Sequence, residues 1–191
     1  MSSSLDSQLP WMASRACGFG AFVTFSAVVM LGLLTASGLL RRAGSRRTAD
    51  LAAWHRVLAL VGWPLIAAHG LLLLADPWLH PTLTQIVWPF EMHLHKAFWA
   101  GLGAVATFAL AVSTATPWLQ RRLPAVPWPA VHRMASVMAY VLLSAHVIGA
   151  GSDTGGGLVR FAVIQVVVVT GLIAVMRVVT PRLPAGAARR R

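Results

Sequence analysis

The sequence predicts an all-α integral membrane protein: a bundle of about five transmembrane helices, N-terminus outside and C-terminus inside. Three observations predict it. Charged residues are 11% of the 191, against ~25% in an ordinary soluble domain, and the mean hydropathy is +0.70. Apolar runs long enough to cross a hydrocarbon core of ~30 Å recur along the chain. The basic residues gather in alternate connections between those runs, as in multi-pass membrane proteins.

Taken in order, residues 1–14 are polar and Ser-rich, with Asp6 the only charge, and read as a loose N-terminal tail. Residues 15–40 form the first span. The run is too long for the apolar region of a signal peptide, and the tail before it is not basic. It stops at Arg41-Arg42-Ala43-Gly44-Ser45-Arg46-Arg47. The second span is 52–75, with Pro64 inside it, and Asp76-Pro77 ends it. A loop follows to His95, carrying Trp78 and Trp88 for a membrane interface. The third span, 97–115, is expected to stop at Thr116-Pro117. A Pro-rich link leads to the fourth span at 130–150, and a Gly-rich turn to the fifth at 158–176. Residues 177–191 form a basic tail expected on the cytoplasmic side. Residues 15–176 thus form one membrane domain between the two tails.

The charge distribution orients the bundle. With the N-terminus outside, Arg41, Arg42, Arg46, Arg47, Arg56, Arg121, Arg122, Arg133, Arg177, Arg182, Arg189, Arg190 and Arg191 all fall on the inner side. Only Arg15, Lys96 and Arg160 fall outside, with the acids Asp6, Asp76, Glu91 and Asp153. This asymmetry accounts for a net charge of +11 without a nucleic-acid partner; the partner it implies is membrane lipid.

The second and fourth spans share a design. One runs from His55-Arg56 to Ala68-His69, the other from His132-Arg133 to Ala145-His146. Fourteen residues fall within ~40° of whole turns and rise ~21 Å, so each helix aims two imidazoles the same way at two depths. Both helices run from inside to outside, which puts His55 with His132 at the inner level and His69 with His146 at the outer level. An ionisable group in a membrane is a functional candidate by default. Two copies of one pattern at matched depths point to cofactors held between facing helices. Two imidazoles per level suit the axial positions of haem iron, whereas zinc takes about four ligands. Cys17 is the one cysteine, which excludes a cysteine cluster and Cys-x-x-Cys-His attachment of haem.

Small residues on the histidine faces, Gly62 and Ala139 among them at mid-height, leave room for a flat macrocycle. Arg56 and Arg133 follow the inner histidines and suit inner propionates; Arg15 begins the first span and suits the outer ones. His80, His93 and His95 lie in the outer loop and read as solvated, or as a metal or acceptor site beside the outer haem.

These residues resemble bacterial ferric reductase-like transmembrane proteins: Arg15-Ala16-Cys17-Gly18, His55-Arg56 with His69, Asp76-Pro77, Pro89-Phe90, and His146 leading to Gly151-Ser152-Asp153-Thr154. That superfamily includes ferric reductases, NADPH oxidases and the haem membrane subunit of a methionine-sulfoxide reductase system. The resemblance implies two haem b groups in the bacterial plasma membrane, bound by His55 with His132 and by His69 with His146. Many members have six spans, and five are read here. Eukaryotic-type members carry a fused flavin and NADPH domain; no Gly-x-Gly-x-x-Gly stretch follows the last span, so the donor is expected to be a separate flavin reductase or a quinol. The expected function is transmembrane electron transfer from a cytoplasmic-side donor to an outer-side acceptor. The alternatives are a quinol-linked cytochrome b subunit of a larger complex and a haem-free transporter or proton pathway.

Overall fold

A computed structural model describes residues 2–37, 45–93, 96–151 and 157–179. It has six helices among those residues: α1 (Ser2–Ser37), α2 (Ser45–Leu74), the short α3 (Leu83–Val87), α4 (Ala97–Arg122), α5 (Trp128–Ala150) and α6 (Gly157–Val179). All but α3 are long and apolar enough to cross a membrane. The chain is therefore a multi-pass, all-helical membrane protein.

The membrane inverts the usual inside-out pattern, because lipid is as apolar as leucine. Val57, Leu60, Val61 and Leu71 of α2 are exposed, as are Met134, Val137, Met138 and Val141 of α5. On α5 these positions follow helical spacing and form the lipid-facing stripe. Away from that stripe α5 buries Ala135 and Ala139, and at its edge Ser144, while α4 buries Gly101, Ala106, Ala109, Leu110, Ser113 and Thr116. Small residues here let the two backbones approach closely.

The helices pack as two pairs. α1 lies along α2 and α4 lies along α5, with α6 against α1 and, more lightly, α5. Between the pairs sits a core of Phe25 and Val28 from α1, Ala109 and Leu110 from α4, and Ala139 from α5. Leu58, Ala59, Trp63, Ile66 and Leu143 close around it. By contrast α2 and α5 make little direct backbone contact. What joins them is the pairing of their histidines.

Three sequence expectations change. The stretch read as a loose tail is helical from Ser2, and Ser14 within it is fully buried. The third span does not stop at Thr116-Pro117; α4 continues through Pro117 to Arg122. Proline removes one helical hydrogen bond, but a membrane helix continues where a neighbouring helix or a hydroxyl serves the freed carbonyl. Gly62 does not open space for a macrocycle; a Cβ there would lie 2.5 Å from the Phe25 ring, so it admits a side chain of α1.

The connections are held by side chains. Asp76 is buried, and its Oδ1 accepts from the amides of Trp78 (2.8 Å) and Leu79 (3.1 Å). Thr82 and Gln85 form a capping box on α3, which satisfies two amides that helix geometry leaves open. Trp128 Nε1 donates to the Leu123 carbonyl at 2.6 Å, tying the Pro-rich link to the start of α5.

Candidate functional site

The four membrane histidines are brought together as two pairs. His55 and His132 have ring centres 6.2 Å apart and planes at 66°. His69 and His146 have ring centres 6.3 Å apart and planes at 75°. The pairs use corresponding ends of α2 and α5, so these helices run parallel, as the charge pattern predicts.

Each imidazole is pinned through the same atom. His55 Nδ1 donates to the Val28 carbonyl at 2.9 Å. His69 Nδ1 donates to the Ser14 carbonyl at 2.8 Å. His132 Nδ1 donates to the Ser113 carbonyl at 3.1 Å, and His146 Nδ1 to the Trp99 carbonyl at 2.8 Å. A carbonyl oxygen only accepts, so Nδ1 carries the hydrogen in every case, and in the neutral imidazole Nε2 then keeps the lone pair. The acceptors for α2 lie on α1 and those for α5 lie on α4. With Nδ1 committed to the flanking helix, Nε2 is the nitrogen left to face the opposite ring.

Two such lone pairs cannot hydrogen-bond with each other; an electron-pair acceptor between them would satisfy both. A shared proton would draw the nitrogens to ~3 Å. A metal with bonds of ~2 Å to each nitrogen would put the ring centres ~6 Å apart; the two pairs stand at 6.2 and 6.3 Å. Pinning the second ring nitrogen to a carbonyl is also how metal-ligating histidines are oriented and made more basic. Among the described residues no group of three or more His, Cys, Asp or Glu converges. Each level of the described residues thus offers two imidazoles, fewer donors than the four a structural zinc site takes.

Hydroxyls extend two of the four contacts. Ser14 Oγ lies 2.9 Å from His69 Nδ1 and donates to the His69 carbonyl at 2.9 Å. Around His132, Thr116 Oγ1 is 3.0 Å and Ser113 Oγ 3.3 Å from Nδ1, and Ser113 shares a 2.7 Å bond with Ser136. Glycines give the rings access to the flanking helices. A Cβ on Gly18 would meet His69 Nδ1 at 3.0 Å, one on Gly32 would meet His55 Cε1 at 3.2 Å, and one on Gly103 would meet His146 Nδ1 at 2.7 Å.

These supporting residues were not singled out from the sequence, although a signal was present. The acceptors Ser14 and Val28 are fourteen apart, as are Trp99 and Ser113, and as are Gly18 and Gly32. The flanking helices repeat the spacing of the histidines they hold.

Arg56 and Arg133 follow the first histidine of their helices and are exposed. Arg15 stacks on Trp11, 4.1 Å from the ring centre. It lines a groove of about 610 Å³ between α1 and α6 with Phe19, Phe22, Val163 and Val166. Its neighbour Ser14, not Arg15 itself, holds His69. His80 and His93 are exposed in the connection after α2; His95 lies outside the described residues, as do Asp153 and most of the basic tail. No protein-family model, curated protein or solved structure matches the chain.

Proposed function

We propose that this chain carries electrons across a bacterial plasma membrane through two b-type haems. His55 and His132 ligate one, and His69 and His146 the other. The observation that carries this reading is the shared state of the four histidines: Nδ1 bound to a carbonyl, Nε2 free, and ring centres 6.2 and 6.3 Å apart. Haem iron held by these imidazoles would supply reversible one-electron chemistry. In this reading the protein fixes the orientation of the four imidazoles, and Arg56 and Arg133, each next to a first histidine, are the cations suited to the carboxylates of the first group. Arg15 stands at the level of the second.

Electrons enter from a separate flavin reductase or a quinol on the cytoplasmic side and leave to an outer-side acceptor, in the manner of ferric reductase-like proteins. The chain is then the haem membrane component of an oxidoreductase.

Haem stoichiometry and a redox titration on purified protein test this. Protein expressed with ample haem should hold two haems and titrate in two one-electron waves. His69→Ala should remove mainly one haem and His55→Ala mainly the other. Purified protein with no Soret band would end the proposal and favour a haem-free proton or transport pathway through the same histidines. Reduction by quinol in isolated membranes distinguishes a quinol donor from a flavin reductase.

A further inference from the structure

Near mid-span α1, α5 and α6 are tied by side chains. Phe22 of α1 stacks on Tyr140 of α5 with ring centres 6.5 Å apart, and Tyr140 Oη donates to Thr170 Oγ1 of α6 at 3.1 Å. Towards the His69–His146 end, a groove of about 610 Å³ runs between α1 and α6. Ala16 and Ala162, both small and exposed, leave the recess. Phe22 and Val166 line its deep end, and Trp11 and Arg15 stand at its mouth.

The groove has the polarity of a phospholipid. From Arg15 to Phe22 its lining runs seven residues, ~10 Å along α1, and among the described residues Arg15 is the one charged side chain on it. Trp11 lies one turn nearer the start of the span at Gln8, and the Arg15 guanidinium stacks on it, 4.1 Å from the ring centre. The charge is thus held nearer the membrane surface than the Arg15 backbone, with its stem along apolar surface, beside the residue type that favours that interface. Stacking uses the face of the guanidinium. Its N–H donors lie in the plane, a geometry that takes a phosphate in two parallel bonds. Among the described residues no acid lines the groove, so a headgroup amine meets no counter-charge there, whereas a net negative headgroup meets a cation. Basic recesses between membrane helices hold anionic headgroups in this way.

We propose that this groove binds one anionic phospholipid from the leaflet at the His69–His146 end, with its phosphodiester on Arg15 and an acyl chain between Ala16 and Ala162. The lipid packs on the turn of α1 whose Ser14 carbonyl holds His69. The inference does not rest on the haem reading: it uses no histidine, and its readout is bound lipid.

The full chain, reconstituted in vesicles of equal parts phosphatidylglycerol and phosphatidylethanolamine, re-extracted in detergent and washed, tests this by mass spectrometry of the lipid that stays bound. The wild type should keep one phosphatidylglycerol per chain in preference to phosphatidylethanolamine. Arg15→Gln should lower that retention about tenfold, because charge-assisted bonds are lost. Ala162→Phe fills the recess and keeps Arg15; it should lower retention similarly, and it carries the test if the arginine variant does not fold. Equal retention of the two lipids by the wild type, no retained phospholipid, or unchanged retention in either folded variant overturns the inference. So does a quinone bound in place of phospholipid, or a dimer that Ala162→Phe dissociates, which would give the groove to a second copy.

Discussion

An imidazole can lie against a neighbouring helix only where that helix lacks a side chain in its path. Gly18, Gly32 and Gly103 meet this need to different degrees, since the added Cβ would come within 3.0 Å of His69, 3.2 Å of His55 and 2.7 Å of His146 respectively. The ligand ring itself must give way, because Nδ1 is tied to the same turn of the flanking helix. Alanine should therefore be worst at 103, intermediate at 18 and mildest at 32, with overpacking costs of ~1–3 kcal/mol. Gly171 on α6 has nothing within 4 Å of an added Cβ, so Gly171→Ala should leave stability and haem content unchanged. Thermal unfolding and haem content of the four purified variants check this order. Equal losses at all four positions would mean that the glycines serve helix flexibility and not the rings.

Between whole helices, the contact of α1 with α2 turns on Gly62. Its missing Cβ admits the Phe25 ring, which also meets Trp63 edge-on with centres 6.4 Å apart. Gly62→Ala should destabilise the α1–α2 pair by ~1–3 kcal/mol. Phe25→Leu should relieve part of that loss, so the double variant costs less than the two singles summed; thermal unfolding in detergent measures each arm. The same helices show what sequence makes legible. The spans, the parallel run of α2 and α5, and the two histidine pairs follow from apolar length and a fourteen-residue spacing. The acceptors do not, because they are backbone carbonyls and Ser14, Val28, Trp99 and Ser113 share no side-chain type. Polar composition hid Ser14 in an apparent tail, although its hydroxyl and carbonyl are consumed by His69. Pro117 reads as a terminator because proline deletes a helical bond, and only the fold shows Thr116 and His132 taking the vacated carbonyl.

At the scale of the molecule, the pairings fix an alternating arrangement. Ser14 meets His69 and Val28 meets His55, so α1 runs against α2; Trp99 meets His146 and Ser113 meets His132, so α4 runs against α5. One end of the bundle therefore gathers Arg46, Arg47, Arg56, Arg121, Arg122 and Arg133 from the starts of α2 and α5 and the end of α4. The other end carries Arg15, Lys96 and Arg160 with Asp76 and Glu91. Positive charge near span ends is retained on the cytoplasmic side, so the His55–His132 end should face the cytoplasm. A reporter active only outside the cytoplasm should work when fused after Pro77 and be silent when fused after Pro124. Replacing Arg46, Arg47, Arg121 and Arg122 together by glutamine should weaken that contrast, because these four lie in or beside the connections that set the bias. The opposite reporter pattern would reverse the proposed conduit, putting electron entry at the His69–His146 pair.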